Sequence, residues 1–480
     1  MADAPPATAL PRRNGEVSFW QAALGGMAPA RAPLGGDARV DVAIVGAGYT
    51  GLWTALYLMR ASPGVRVGLI EAERAGFGAS GRNGGWLSGD FAWKPERYLK
   101  NGSAEDVRRL IGALARTVPE VIARARELGI DADIRETQEV RVATNPAQLA
   151  RLDAEMAARA QWGAPEMPAR RLDAAEMAAR VAVAGALGGI EVGGVARIQP
   201  AKLVRGLAAA VEAAGATIWE GPRALALSPG RVVTDRGTVT ADVVLRATEG
   251  FTARLPGHRR DWLPLNSAQI VTDPLPPDLW AEIGWQGYEL LHDAANSYFY
   301  AQRTEDGRIA FGARGVPYRF ASGIDASGAA DGVTVARLIA GLHRILPQLR
   351  SVPIAHAWCG VLGVPRDWCA RVGYDPRSRM GWAGGYVGIG VATSNLAGRT
   401  LADLALGRQS DLTGLPWVNL PVRRWEPEPL RFIALRGMYR LLDAADARER
   451  AGGTAGALAR LRLRLAGRGG ALSATEPARN

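Results

Sequence analysis

The chain has 480 residues, 48% hydrophobic and 22% charged, with a formal net charge of +11. That length and apolar content support a large core and more than one domain. Two cysteines, Cys359 and Cys369, and four histidines exclude a disulfide scaffold and offer no metal-ligand spacing.

No apolar run approaches the ~20 residues that span a bilayer, and the opening "MADAPPATALPRRNG" lacks the apolar segment of a secretory signal. Residues 1–37 read as a disordered leader and the compartment as the cytosol. The positive charge is scattered, with a concentration in "ALARLRLRLAGRGG" near the end. Without aromatic interleaving it reads as a solvated arginine-rich surface, so neither nucleic acid nor membrane is expected as a partner.

In chain order, "RVDVAIV" (39–45) is hydrophobic on both faces, the pattern of a buried parallel strand. Gly46–Gly51 form a turn, and Leu52, Ala55, Leu56 and Met59 continue at helical spacing until "SPG" (62–64). "VRVGLIE" closes a βαβ unit. Residues 103–185 are alanine-rich and read as helical. "AKLVRGLAAAVEAAG" (201–215) is a helix with Leu203, Leu207 and Val211 on one face, leading into "ATIWEG" and "ADVVLRATEG". Residues 262–349 read as β-rich, with a hairpin in "NSYFYAQRTEDGRIAFGARG" turning at Asp306-Gly307. "RMGWAGGYVGIGVATSNLAGRTLADLALG" then gives a strand, a glycine turn and a helix.

The spacing predicts a dinucleotide site, because three requirements coincide: a preceding strand, a following helix, and an acid ending the next strand twenty residues after Gly51. Gly46 permits the tight turn, Gly48 admits a pyrophosphate to the backbone, and Gly51 lets the helix close on the strand. The helix N-terminus offers unpaired N–H groups and a positive dipole end. Glu71 is placed to accept hydrogen bonds from an adenosine ribose, which disfavours a 2′-phosphate. The glycine density of "EAERAGFGASGRNGGW" suits a backbone wrapping a bulky, rigid group, and Arg82 is a candidate to balance the pyrophosphate.

"VAIVGAGYTGLWTALYL" with "IEAERAGFGASGRNGG" resembles the FAD-dependent amine and amino-acid oxidoreductases of the D-amino-acid oxidase and glycine oxidase superfamily, nearest to its γ-glutamylputrescine oxidoreductase-like branch. The likeness continues through "RIQPAKLVRGLAAAVEAAGATIWEG", through "ADVVLRATEGFT", where Glu249 replaces the usual asparagine, and through "HAWCGVLGVPRDWCARVGYD" and "GGYVGIGVATSNLAGRTLADLALG". It implies an α/β fold: a Rossmann-type FAD-binding domain built from discontinuous segments (38–100, 190–258 and 350–415). An inserted α+β substrate domain (101–189 and 259–349) centres on a largely antiparallel sheet, and a helical extension (416–480) follows.

The cofactor contacts expected from the fingerprint and the resemblance are Gly46, Ala47, Gly48, Tyr49, Thr50, Gly51, Glu71, Ala72 and Arg74. Gly78, Ala79, Ser80, Arg82, Asn83, Gly84, Gly85 and Thr248 follow, with Gly388, Ile389, Gly390, Val391, Ala392 and Thr393 at the second glycine turn. No acid-terminated strand follows that turn, so it is read as a helix N-terminus aimed at FAD rather than as a nicotinamide site.

The resemblance further implies that a neutral amine passes hydride to FAD and that the imine hydrolyses to an aldehyde or keto product. Oxygen or an electron carrier then takes the electrons. No catalytic acid or base is assigned. Period-2 geometry puts Tyr298, Tyr300 and Gln302 on one hairpin face and Phe299 and Arg303 on the other. Tyr298, Tyr300, Arg303, Arg314 and Trp358 are the candidate substrate contacts, the arginines for a carboxylate; His356 reads as structural. Cys359 lies within one residue of the tethering position of cysteine-linked relatives, and residues 71–90 hold no histidine, so FAD is expected to be held non-covalently. Two rivals stand beside this reading: a flavoprotein tailoring enzyme on a larger amine-bearing intermediate, and an FAD-containing module that binds or modifies RNA.

Overall fold

The structure is a computed structural model that describes residues 10–91, 94–314, 318–421 and 423–453. Two sheets organise it. The smaller, eight-stranded among the described residues, runs in the order Arg371–Asp375, Met380–Gly384, Gly237–Arg246, Ala38–Val45, Val67–Glu71, Thr217–Glu220, with Arg231–Thr234 and Ala224–Ser228 forming a side branch. Ala38–Val45 lies parallel to both neighbours, pairing Ile44 with Leu245 and with Leu69. Its last four residues are buried, as a strand covered on both faces requires.

Helix Tyr49–Ala61 returns across this sheet and packs on helix Val391–Ala405. The close approach depends on Gly398, where a Cβ would stand 2.7 Å from the Trp53 Cβ. Two helices distant in sequence therefore end side by side.

The second sheet is ten-stranded among the described residues. It runs Arg13–Asn14, Ile354–Pro365, Trp262–Thr272, Ile309–Ala313, Phe299–Arg303, Leu290–Asp293, Arg135–Ala143, Gly188–Arg197, Trp86–Leu87, with Ala169–Leu172 also paired to Gly188–Arg197. All its pairings are antiparallel except two, Arg13–Asn14 on Ile354–Pro365 and Leu290–Asp293 on Arg135–Ala143. Helix Gly332–Ile345 covers one face with Val335, Leu338, Ile339 and Leu342. The hairpin forms as expected, with Gly307 at φ +72°. Helix Leu430–Arg450 packs Leu435, Met438, Tyr439 and Leu442 onto Leu263, Val364 and Trp368.

Three expectations change. The leader is not disordered where it is described: Arg13–Asn14 joins the large sheet, and helix Phe19–Ala22 buries Phe19 and Trp20 against Trp358. Apolar Phe19 and Trp20 amid polar and proline-rich sequence carried that signal. The alanine-rich stretch is not purely helical, since Arg135–Ala143 and Ala169–Leu172 are strands between its helices. Strands Gly188–Arg197 and Ile354–Pro365 belong to the large sheet, although 190–258 and 350–415 were expected to lie wholly in the cofactor domain. The arginine-rich segment "ALARLRLRLAGRGG" lies outside the described residues.

Candidate active site

One cavity opens where the carboxyl ends of Ala38–Val45, Val67–Glu71 and Gly237–Arg246 meet the N-termini of the two packed helices. Gly46, Gly48, Tyr49, Thr50, Glu71 and Ala72 line its first end. Gly78, Ala79, Ser80, Asn83, Thr248, Gly388, Gly390 and Val391 line its middle and far end.

The turn follows from its glycines. Gly46 sits at φ +106°, where a side chain is strained, and a Cβ there would be 2.6 Å from the Ala247 carbonyl. A Cβ at Gly51 would collide with the Gly46 carbonyl. The Tyr49 amide donates to Ser80 Oγ (2.8 Å), while the amides of Thr50 and Gly51 have no acceptor among the described residues. The same holds for Val391, Ala392 and Thr393 at the second helix. Thr50 and Val391, one at each helix N-terminus, thus bring a free N–H to one space, the arrangement that holds anionic groups.

Glu71 ends its strand at the cavity wall. Its Oε2 accepts from the Ala47 amide (2.9 Å) and its Oε1 from the Glu73 amide (3.0 Å). Burial pushes its carboxyl up to about 7 against the opposing pull of those amides.

Glu249, in the position noted as unusual, is the residue sequence reasoning left without a role. It holds φ +40° and bridges strand Ile354–Pro365 to the second glycine turn, accepting from the Gly363 amide (2.6 Å) and the Tyr386 amide (2.9 Å). Burial raises its carboxyl to about 7. Tyr386 reaches back to Thr50, hydroxyl to hydroxyl at 2.7 Å, tying the second glycine turn to the first. Phe77, Arg223, Phe251 and Arg254 also line the cavity; none carries a motif that would have found it.

Other expected contacts serve the scaffold. Arg82 is buried, donating to the carbonyls of Phe77 (2.7 Å), Cys359 (3.3 Å) and Ala326 (3.1 Å). Its charge is spent on loop carbonyls and does not face the cavity. Arg74 donates to the Glu73 carbonyl and stands 3.8 Å from Glu220, also outside the lining. Asn83 clamps its own loop, donating to Ala79 and Ser80 and accepting from Gly85. Gly84 and Gly85 let that loop lie on Tyr300 and Gln302. Ala47, Gly51, Ile389, Ala392 and Thr393 shape the turns from behind the lining, and Thr393 Oγ1 donates to the Ile389 carbonyl.

The substrate candidates divide. Tyr300 lies beneath Gly84, its hydroxyl 3.1 Å from Ser267 Oγ, with Trp86 edge-on at 6.3 Å. Arg314 stacks over Tyr298 (5.4 Å) and Trp368 (5.1 Å), and its guanidinium has no hydrogen-bond acceptor among the described residues.

Arg303 is elsewhere, stacked on Trp280 (4.0 Å) and Tyr288 (4.6 Å) and donating to the Trp285 carbonyl (2.7 Å). Strand alternation sent it to the opposite face from Tyr300. Trp358 is fully buried against Trp20 and His356 and donates to the Arg82 carbonyl; it is core, not pocket. His356 is paired with the Gly15 carbonyl (2.9 Å). Cys359 and Cys369 are buried free thiols. Burial raises the Cys359 thiol to about 11, and its Sγ faces Ala329 rather than the cavity.

The chain is 33% identical over 402 residues to the probable oxidoreductase OrdL of Rhizobium meliloti (strain 1021), covering 80% of this chain and 87% of that protein. It is 30% identical over 409 residues to the gamma-glutamylputrescine oxidoreductase of Escherichia coli (strain K12), covering 83% and 91%. Among solved structures it superposes on glycine oxidase from Geobacillus kaustophilus with a TM-score of 0.65 at 22% identity, covering 78% of this chain and 96% of that one, a likeness of fold. Among the described residues, no helix is long and apolar enough to cross a membrane, and no group of His, Cys, Asp or Glu could hold a metal. The DAO family, described as FAD dependent oxidoreductase, matches residues 41–404, and this chain belongs to that family.

Proposed function

We propose that the protein oxidises the C–N bond of an amine or amino acid, releasing an imine that hydrolyses to an aldehyde or keto product. The observation that carries this is the shared cavity: unpaired amides of Thr50 and Val391, from two helix N-termini, at one space bordered by Asn83, whose loop lies against Tyr300 at Gly84. The eight-stranded unit serves as a discontinuous Rossmann-type cofactor domain and the ten-stranded sheet as the substrate platform.

Glu71 would hold the adenosine ribose, the amides of Gly48 and Thr50 the pyrophosphate, and the Val391 amide the ring end. FAD held there supplies the two-electron acceptor for hydride leaving the carbon beside nitrogen. The chain's own task is to place a neutral amine over it in a space shielded from water. Tyr300, packed against Gly84, and Tyr298 would form the floor of that space, and Arg314 would offer an unspent fork to a substrate carboxylate. The orientation of the Cys359 thiol supports non-covalent retention. Relatives named for an amine and for glycine support the substrate class, and two unpaired thiols suit the cytosol.

The test is an anaerobic panel of amines and amino acids, read by bleaching of the flavin's visible band. Bleaching by at least one amine, with an aldehyde or keto product trapped, is expected. A flavin that dithionite reduces but no amine does would reject the reading.

A further inference from the structure

A second cavity of about 400 Å³ lies on the other side of strand Gly237–Arg246. Ala247 and Thr248 face the cofactor cavity, whereas Arg246 faces this one. Its walls are Trp262, Trp382, Met380 and Leu420, with His258, Asp261 and Arg424 on the rim. It shares no lining residue with the cofactor cavity.

Arg246 is the anomaly. Its side chain is 7% exposed, yet its Nη1 is buried with no hydrogen-bond acceptor among the described residues. Asp261 is the nearest acid, at 3.8 Å, and it already accepts from His258 Nδ1 at 2.6 Å and lies 3.7 Å from Arg424 Nε. One carboxylate thus stands against two guanidinium groups and an imidazole. The guanidinium is held over Trp262 at 5.2 Å and near Trp382 at 6.0 Å. A buried cation with a donor left unpaired is costly, and such groups persist where something supplies the missing acceptor.

We propose that this cavity binds a small organic carboxylate with a flat apolar body, its carboxylate paired to Arg246 and its body lying along Trp262 and Trp382. The chemistry selects that class. A guanidinium fork matches a carboxylate bidentately, and the walls are apolar and aromatic, as in sites that enclose most of a small ligand. The volume exceeds what a simple inorganic anion fills, and Trp262 Nε1, buried without a hydrogen-bond partner among the described residues, is a second donor beside Arg246.

The experiment titrates the flavin-loaded protein with 2-naphthoate by calorimetry while the visible flavin spectrum is recorded. Expected is saturable binding of one naphthoate per chain with the flavin band unmoved, and at least tenfold weaker binding to Arg246→Met. Arg246→Lys, which keeps the charge but not the fork, should bind with intermediate affinity and serves if the methionine variant does not fold. Trp382→Ala should weaken naphthoate more than it weakens acetate, and neutral 2-naphthylmethanol should not bind. Naphthoate that shifts the flavin band sits in the redox cavity and overturns the proposal. So do equal affinities for wild type and both Arg246 variants, displacement by equimolar inorganic phosphate, or no binding at millimolar concentration. None of these outcomes bears on amine oxidation, which the flavin-bleaching assay reads separately.

Discussion

At Arg303, stacking on aromatic rings takes the guanidinium that the sequence offered to a substrate carboxylate. The guanidinium lies on Trp280 and Tyr288 and holds the Trp285 carbonyl. Arg303→Ala should therefore cost about 1–2 kcal/mol of stability, seen in denaturant melts, and leave KM for a carboxylate-bearing amine unchanged; a raised KM would return the residue to the pocket. Glu249 bears on pH. Its carboxyl is raised from 4.5 to about 7 in the fold, so between those values the folded protein binds the extra proton. Cofactor-free stability should fall as pH rises through that window. Glu249→Gln should flatten the fall, measured as denaturation midpoints between pH 4.5 and 7; an unaltered slope would show that this acid is not its source. The place of Glu71 at the cavity wall was legible in the sequence because strand, turn, helix and spacing constrain it together. Glu249 stood out only as a departure from the family pattern, since nothing local reveals an acid that bridges backbone amides more than a hundred residues away.

Among the elements, the two helices that converge on the cavity were both legible, because each follows a glycine turn after a hydrophobic strand. Their mutual contact at Gly398 and Trp53 was not, since pairing across 340 residues leaves no local pattern. The N-terminal helix Phe19–Ala22 shows the same limit. Four residues are too few for periodicity, and their burial is decided by Trp358 and Asn83, far along the chain. Trp20 Nε1 donates to the Asn83 carbonyl at 2.7 Å, so this helix props the loop that borders the cavity. Trp20→Ala should lower stability by ~3 kcal/mol, as for a large aromatic removed from a core, and loosen FAD retention. Thermal melts with and without added FAD would measure both, and a melt unchanged from wild type would place the helix outside the cooperative fold.

On the scale of the whole molecule, two sheets divide the work, and the chain crosses between them repeatedly. Strands Trp86–Leu87, Gly188–Arg197 and Ile354–Pro365 belong to the large sheet, while Asn83 before the first of them and Val361 and Leu362 within the last line the cofactor cavity. Domain limits read as clean segments therefore shift by a strand at three places. A strand's hydrophobic pattern states that it is buried, not which sheet buries it. The architecture brings the Asn83 and Ile389 segments around one space, as a cofactor spanning the first crossover demands. The most direct test titrates FAD into cofactor-free wild-type protein and Glu71→Ala, following quenching of flavin fluorescence. One FAD per chain, released unmodified by acid precipitation, and binding weaker by about tenfold or more in the variant are expected, from lost charged hydrogen bonds to the ribose. Wild-type protein that takes up no FAD, or a variant that binds it equally well, would contradict the account.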